Sequence, residues 1–207
     1  MLFRSKWSGL DISRIPMGHA VTTTHLQMVM AMSAIANEGR LMRPMIIKAL
    51  RRPDGTNQQI FEPQFVRQAV SPQAARQLVT ALKTVTGREG SAPKAALEHY
   101  TVAGKTGTAQ VPGGPSGYLP HKYVSSFIGF FPADNPEVCI SVLLEEPDIK
   151  KGYYGGHTAA PYFKAIAEQV ANYLKIKPDK DDLGGGILAS GTNAPTMNTA
   201  SLRPENR

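Results

Sequence analysis

The stretch TVAGKTGTAQ, residues 101–110, places a lysine between two glycines in a run that otherwise has the composition of a β-strand. Two glycines without side chains in a strand indicate the close approach of another backbone. The lysine adds a cation beside them, and Thr106 and Thr108 add short hydroxyl donors. A strand of this kind is suited to pairing its edge with an extended peptide and to holding a carboxylate. The residues concerned are Gly104, Lys105, Thr106, Gly107 and Thr108.

The same letters also resemble the end of a phosphate-binding loop, in which GK[ST] closes the pattern GxxxxGK[ST]. That pattern requires a glycine five positions before Gly104, where this chain has His99. The residues between them are bulky, so no nest of backbone N–H groups is expected there. We therefore exclude nucleotide binding by this run.

Three helices are predicted around the strand. The first begins after Thr24, which forms a capping box with Gln27, and it ends at Gly39. It is apolar almost all round, which predicts a buried helix. The second runs from the cap Ser71 to Gly87 and has one apolar stripe. The third begins at Thr158 and is amphipathic, with an apolar stripe of Phe163, Ile166, Val170, Tyr173 and Leu174.

Five strands are predicted between these helices. Residues 44–52 and 58–63 flank the turn signal PDG, which indicates a hairpin. Residues 100–110, 123–131 and 137–145 are the other three, and the turn PADNP joins the last two. Strands joined by short turns pair antiparallel. The fold class predicted is α/β of the α+β type, an antiparallel sheet packed with helices.

The composition of the chain argues against a nucleic-acid partner, a metal site and a targeting signal. The net charge is +7, and residues 1–52 hold eight basic and two acidic residues. The basic residues form no tight run with interleaved aromatics, so we predict a solvated face and no nucleic-acid partner. Cys139 is the only cysteine and the five histidines lack ligand spacing, so we expect no metal and no cofactor. No targeting signal is recognisable.

The chain divides by composition at about Lys177. Residues 177–207 contain no aromatic residue and are rich in Gly, Asn, Thr, Pro and Ser. Such a segment buries too little apolar surface to offset its ordering entropy, so we predict a disordered polar tail. Residues 1–176 are predicted to form the folded portion.

Four stretches, in order, resemble the C-terminal part of the transpeptidase domain of class B penicillin-binding proteins. They are PMGHAVTTTHLQMVMAMSAIANEGRLMRP, YTVAGKTGTAQ, SSFIGFFPADNPEVCISVLLEEP and YYGGHTAAPYFKAIAEQVANYL. The sequences of the last two stretches resemble those of the division and spore-septum branch of this family. The resemblance implies an incomplete penicillin-binding-protein/β-lactamase-like transpeptidase fold. The chain departs from the family pattern at His19 and His25.

The resemblance also implies roles for the strand. Lys105 is expected to supply positive potential toward the family's S-x-N serine, while Thr106 and Thr108 hold the terminal carboxylate of a D-Ala-D-Ala stem peptide or a β-lactam. The backbone N–H of Thr108 is expected to form half of an oxyanion hole. Gly107 is expected to let the substrate backbone approach.

The nucleophile is the part of this machinery that the chain does not supply. One S-x-x-K occurs, Ser91 to Lys94, but it lies in a loop that matches a family linker, and no S-x-N occurs. We therefore expect the nucleophile upstream of Met1 and this fragment to be inactive alone, although the parent protein is expected to be a serine-type D,D-transpeptidase. A non-catalytic peptide-binding module is the alternative. A β-lactamase is disfavoured by the long division-type match.

Partners and location are implied in the same way. The resemblance implies a parent protein in the cytoplasmic membrane with this domain on the outer face. Its expected partners are the missing N-terminal part of its own domain, a membrane glycan polymerase and division proteins.

Overall fold

The structure of the protein is a computed structural model that describes residues 11–15, 18, 21–113 and 117–180. Its helices are α1 (Asp11–Arg14), α2 (His25–Ala36), α3 (Pro72–Thr84) and α4 (Gly155–Leu174), with a 3₁₀ turn at Pro93–Ala95. Its strands are β1 (Arg40–Met42), β2 (Ala49–Arg51), β3 (Asn57–Ile60), β4 (Phe65–Gln68), β5 (Ala103–Pro112), β6 (Tyr118–Phe131) and β7 (Val138–Glu145).

The start of α2 follows from its cap. The Thr24 hydroxyl accepts from the Gln27 N–H and the Gln27 side chain accepts from the Thr24 N–H, which confirms the predicted capping box. The prediction of a buried helix is wrong for this chain. Only Ala34 is buried along α2, and Leu26 is 57% exposed. Helix α2 packs against α3, β1 and the central sheet, while Leu26 and Met28 remain exposed.

The central sheet has the strand order β5-β6-β7, with both pairs antiparallel. The turn after Phe131 brings Val138 opposite it, as the PADNP signal predicts. Because β5 and β7 each pair on one side only within the described chain, both are edge strands of this sheet. The substrate strand predicted from the sequence is therefore an edge strand.

Two glycines facing each other across β5 and β6 make room for an aromatic ring. Gly104 pairs with Gly129, and the ring of Phe127 lies over both. A Cβ at Gly104 would lie 2.5 Å from Phe127 Cζ, and one at Gly129 would lie 3.1 Å from Phe127 Cε1. Phe163 of α4 meets Phe127 edge-on, with ring centroids 4.8 Å apart. The absence of a side chain at Gly104 therefore leaves the space that the Phe127 ring occupies.

Helix α4 covers this face of the sheet. It begins at Gly155, three residues before the predicted Thr158, and it contains the buried Phe163. The predicted apolar stripe is partly wrong, since Tyr173 is 85% exposed and Ile166 and Leu174 are also exposed. The buried face is made largely of small residues, which let the helix backbone approach the sheet closely: Ala159, Ala160, Ala167 and Ala171.

Residues 40–70 form two small antiparallel ladders outside the central sheet. β2 pairs with β3 around the predicted PDG turn, where Gly55 has φ +84°, so the hairpin is confirmed with shorter strands. β1 pairs with β4. The Asp54 carboxylate accepts from the N–H and hydroxyl of Thr56, and these bonds lower the pKa of Asp54.

The first residues of the predicted tail contact the folded portion. Asp179 accepts hydrogen bonds from the N–H and the hydroxyl of Thr101, and Lys180 donates to the Leu97 carbonyl. Residues 181–207 lie outside the described residues, so the boundary at 176 and the disordered tail stay predictions. Among the helices of the described chain, none combines the length and apolarity that crossing a bilayer requires.

Candidate functional site

The side chains of β5 alternate between the two faces of the sheet. Thr106 pairs with Phe127, whose ring contacts α4, so the two threonines of the run face α4. Lys105 pairs with Ile128 on the opposite face, the face on which α2 and α3 pack. The structure therefore brings Thr106 and Thr108 together and places Lys105 on the other side of the strand.

A cavity of about 180 Å³ lies where the threonine face of β5 meets the first turn of α4. Three hydroxyl side chains, two helix glycines, a tyrosine and a histidine line it. They are Ser91, Thr106, Thr108, Tyr154, Gly155, Gly156 and His157. The hydroxyls and the start of the helix suit an anionic group, because they offer hydrogen-bond donors beside the positive end of the helix dipole.

Each threonine hydroxyl in the cavity has one protein partner. Thr108 Oγ1 accepts from the backbone N–H of Gly155 at 3.2 Å, which leaves its own proton available for a ligand. Thr106 Oγ1 lies 3.2 Å from Ser91 Oγ. Both threonines are half-buried, so each is held in place and still reachable from solvent.

The ammonium of Lys105 lies outside this cavity. It is exposed, and its Nζ donates to the carbonyl of Thr106 at 2.7 Å. The side chain thus reaches along its own strand to the neighbouring peptide group. No group of acidic, histidine or cysteine side chains that suits a metal ion occurs in the described parts of the chain.

The expected role of Gly107, to let a substrate backbone approach, stays a prediction. Gly107 lies opposite Ser126, and a Cβ on Gly107 would overlap the Ser126 hydroxyl. Close backbone approach occurs at Gly155, where a Cβ would lie 2.6 Å from the Gly107 carbonyl oxygen. The absence of a side chain at Gly155 therefore lets the start of α4 approach the β5 backbone.

Three tyrosines form a stack that ends at the cavity with Tyr154, and the sequence did not reveal this stack. The Tyr123 and Tyr153 rings are 4.3 Å apart, as are those of Tyr153 and Tyr154. The Tyr153 hydroxyl donates to that of Tyr154, and this hydrogen bond raises the pKa of Tyr153. Tyr154 is 55% exposed and offers an aromatic surface to a ligand. The adjacent letters YYGG were the only local signal.

Ser91, interpreted from the sequence as an ordinary loop residue, lies in the cavity. Its hydroxyl is exposed and bonds to Thr106, and within the described chain it makes no hydrogen bond to Lys94. The SAPK letters therefore do not form a serine–lysine pair. Of the two departures from the family pattern, His19 lies outside the described residues. His25 Nε2 lies 2.5 Å from Ser141 Oγ, which ties α2 to β7 away from the cavity.

Comparisons with known proteins agree with this architecture. Residues 2–168 match the family described as penicillin binding protein transpeptidase domain. Penicillin-binding protein PbpB of Mycolicibacterium smegmatis is 37% identical over 183 residues, covering 84% of this chain and 28% of that protein. Peptidoglycan D,D-transpeptidase FtsI of Buchnera aphidicola is 33% identical over 176 residues, covering 85% of this chain and 29% of that protein. Stage V sporulation protein D of Bacillus subtilis is 37% identical over 171 residues, covering 80% of this chain and 25% of that protein.

The fold is also that of solved relatives. The crystal structure of penicillin binding protein 3 from Mycobacterium tuberculosis complexed with ampicillin superimposes with a TM-score of 0.74 at 34% identity, over 86% of this chain and 41% of that one. This confirms the predicted fold class. The chain spans between a quarter and three tenths of the relatives' length. The 207 residues thus belong to the penicillin-binding protein transpeptidase family, in its class B branch.

Proposed function

We propose that β5 and the first turn of α4 form the carboxylate-binding part of a peptidoglycan D,D-transpeptidase. The observation that carries the proposal is the convergence of the Thr106 and Thr108 hydroxyls in one cavity, beside the free edge of an edge strand. Both hydroxyls have protons to offer a carboxylate, which accepts hydrogen bonds only. Charge-assisted bonds of this kind are stronger than bonds between neutral groups.

The proposed substrate is the D-Ala-D-Ala end of a peptidoglycan stem peptide, with β-lactams as its mimics. An extended peptide pairs naturally with the unpaired side of β5, and its terminal carboxylate then lies near the threonines. The backbone N–H of Thr108 is the proposed half of the oxyanion hole. Ampicillin binding by the mycobacterial relative supports the β-lactam part of the proposal.

Lys105 contributes from a different direction in this proposal. Its ammonium lies against the Thr106 carbonyl and raises the positive potential along this stretch of strand. In the complete site we expect it to act toward the S-x-N serine, on the opposite side of β5 from the cavity. Gly107 is proposed to let the backbone of the bound peptide approach the strand.

The chemical step proposed for the parent protein is acyl transfer through a serine. The serine oxygen attacks the penultimate D-Ala carbonyl, the terminal D-Ala leaves with a proton, and an acceptor amine then displaces the serine. That serine is expected outside residues 1–207. Ser91 is not proposed for this role, because its hydroxyl bonds to Thr106 and, among the described residues, makes no hydrogen bond to a basic side chain.

Location and protein partners are proposals of the same kind. The parent protein is proposed to work on the outer face of the cytoplasmic membrane, because a relative is named a peptidoglycan D,D-transpeptidase and peptidoglycan lies outside that membrane. A membrane glycan polymerase and division proteins are the proposed partners, together with the rest of the transpeptidase domain.

Covalent labelling by a fluorescent penicillin tests the proposed function. The full-length gene product is incubated with the label, separated on a denaturing gel and quantified over time. We expect labelling of the wild type and a loss of acylation rate of about 10-fold or more for Thr108→Val, which removes a hydrogen bond to a charged group. Thr80→Ala is the matched control, because Thr80 is exposed on α3 and its hydroxyl bonds to Arg76 of its own helix.

The alternative, a non-catalytic peptide-binding module, gives a different result in the same experiment. It predicts no covalent label on the wild type, together with reversible binding of N-acetyl-D-Ala-D-Ala that Thr108→Val weakens. A labelled protein whose rate is unaffected by both Thr106→Val and Thr108→Val would contradict the proposed carboxylate site.

A further inference from the structure

We propose that Ser91 is a positioning residue of the carboxylate site. Its hydroxyl donates to Thr106 and so directs the Thr106 proton toward the ligand. This inference rests on the proposed function, because it concerns the same cavity. From the sequence alone Ser91 is expected to be an ordinary loop residue, and this inference gives it a specific role.

The distance and exposure of the two hydroxyls support the pairing. Ser91 Oγ lies 3.2 Å from Thr106 Oγ1, within hydrogen-bond reach, and both residues line the cavity. Ser91 is exposed and Thr106 is half-buried, so Ser91 approaches Thr106 from the solvent side of the cavity. A ligand in the cavity therefore meets a pair of coupled hydroxyls.

The fold holds the Ser91 backbone at this point. The next residue, Ala92, is fully buried, and its N–H donates to the Val85 carbonyl at 2.9 Å. On the other side, α4 packs against the loop so closely that a Cβ at Gly156 would overlap the Ser91 carbonyl. The backbone at Ser91 is thus held in place by Ala92 and by α4. Rotation of the Ser91 side chain is the main freedom that remains.

The chemistry of a bound carboxylate sets the direction of the hydrogen bonds. A hydroxyl donates one hydrogen bond and accepts two. A carboxylate accepts only, so it takes the Thr106 proton, and Thr106 must then accept from Ser91. The resulting chain runs from Ser91 to Thr106 to the carboxylate, and each bond polarises the next. Without Ser91, Thr106 loses its protein donor and the group that fixes its rotamer.

Acylation kinetics of the full-length gene product test this inference. The second-order rate constant for benzylpenicillin is measured for the wild type, Ser91→Ala, Ser91→Thr, Thr106→Val and the double variant Ser91→Ala/Thr106→Val. We expect Ser91→Ala to lower the rate constant about 3- to 10-fold, the loss of one ordinary hydrogen bond. Ser91→Thr keeps the hydroxyl and should remain within about 2-fold of the wild type.

The double variant separates positioning from a merely structural role. If Ser91 acts through Thr106, then Ser91→Ala should cause no further loss in the Thr106→Val background. The methyl ester of benzylpenicillin, which lacks the carboxylate, should show no dependence on Ser91. Thr80→Ala, outside the cavity, should leave both rate constants unchanged.

Several outcomes would overturn the inference. An unchanged rate constant for Ser91→Ala, additive losses in the double variant, or an equal loss with the ester would each do so. If Ser91→Ala lowers the melting temperature, Ser91→Cys keeps the shape with a weak donor and should still lose rate. If the wild type is not acylated at all, the proposed acyl transfer fails. The inference is then decided by reversible N-acetyl-D-Ala-D-Ala binding, which Ser91→Ala must weaken.

Discussion

Adding one methyl group at Gly104 tests whether the fold positions the binding strand as described. Gly104 comes directly before Lys105 and faces Gly129 across the sheet. In Gly104→Ala the new Cβ would lie 2.5 Å from Phe127 Cζ and 2.9 Å from the Ile128 carbonyl oxygen. Phe127 is fully buried against the equally buried Phe163, so its ring has no open space to enter.

The magnitude follows from two opposing effects. Inserting a methyl group into a packed core costs about 1–3 kcal/mol. Replacing a glycine within a strand by alanine recovers about 0.5–1 kcal/mol, because glycine loses more conformational freedom on folding. We therefore expect Gly104→Ala to lower the free energy of unfolding by about 1–2 kcal/mol.

Urea denaturation of the full-length gene product measures this change. Gly87→Ala is the matched control, because its Cβ would meet only the Thr84 carbonyl at 3.2 Å, and it should change stability by less than about 0.5 kcal/mol. Combining Gly104→Ala with Phe127→Leu should cost less than the sum of the two single changes, since the smaller side chain relieves the overlap. A Gly104→Ala protein as stable as the wild type, or strictly additive losses, would refute the packing described here.

Four further changes give expected outcomes. Asp179→Ala should lower the free energy of unfolding by about 1–2 kcal/mol in urea, because the half-buried Thr101 loses its acceptor; no change would mean that this contact does not form. Phe163→Ala should cost about 3–5 kcal/mol in the same assay, since it empties a fully buried site, and a loss below about 1 kcal/mol would contradict that burial. Burial raises the pKa of the Cys139 thiol, so the folded protein keeps a proton that the unfolded chain releases above the ordinary value of 9.0. Stability should therefore fall as pH rises through that value, and the slope should be smaller in Cys139→Val. Lys105→Met should slow acylation by fluorescent penicillin about 10-fold, with stability within about 0.5 kcal/mol of the wild type because the side chain is exposed; an unchanged rate would remove the lysine from the proposed site.

Local signals predicted much of the fold correctly. The capping box at Thr24, the PDG turn and the PADNP turn each involve residues within a few positions of one another. Such contacts are encoded in short stretches of chain, so they are readable without knowledge of the tertiary structure. The antiparallel pairing of β6 with β7 was predictable because a short turn favours antiparallel neighbours.

The faces of the elements were harder to predict, because burial depends on what packs against them. The alternation of β5 is visible in the sequence and separates Lys105 from Thr106 and Thr108, but the face that receives α4 is not visible there. Along α4 the large residue Tyr173 looked like core, whereas the sheet contacts the alanines. Small residues permit close approach, a property that hydrophobic periodicity does not capture.

The rest of the candidate site depends on contacts between distant residues. Ser91 reaches Thr106 across 15 positions, and Thr108 reaches Gly155 across 47. The tyrosine stack joins Tyr123 of β6 to the start of α4. No short motif records these distances, so only the three-dimensional structure identifies Ser91 and the tyrosines as neighbours of the threonines.

Helix α4 and the residues that follow it hold β5 at two points, and this limits how the strand can slide. The start of the helix bonds to Thr108, and Asp179 beyond its end bonds to Thr101. A slip of one residue along β6 would turn the threonines away from the cavity and present Lys105 and Gly107 in their place. Because both contacts would have to break at once, helix α4 and the residues after it keep the hydroxyl-bearing side of β5 facing the cavity.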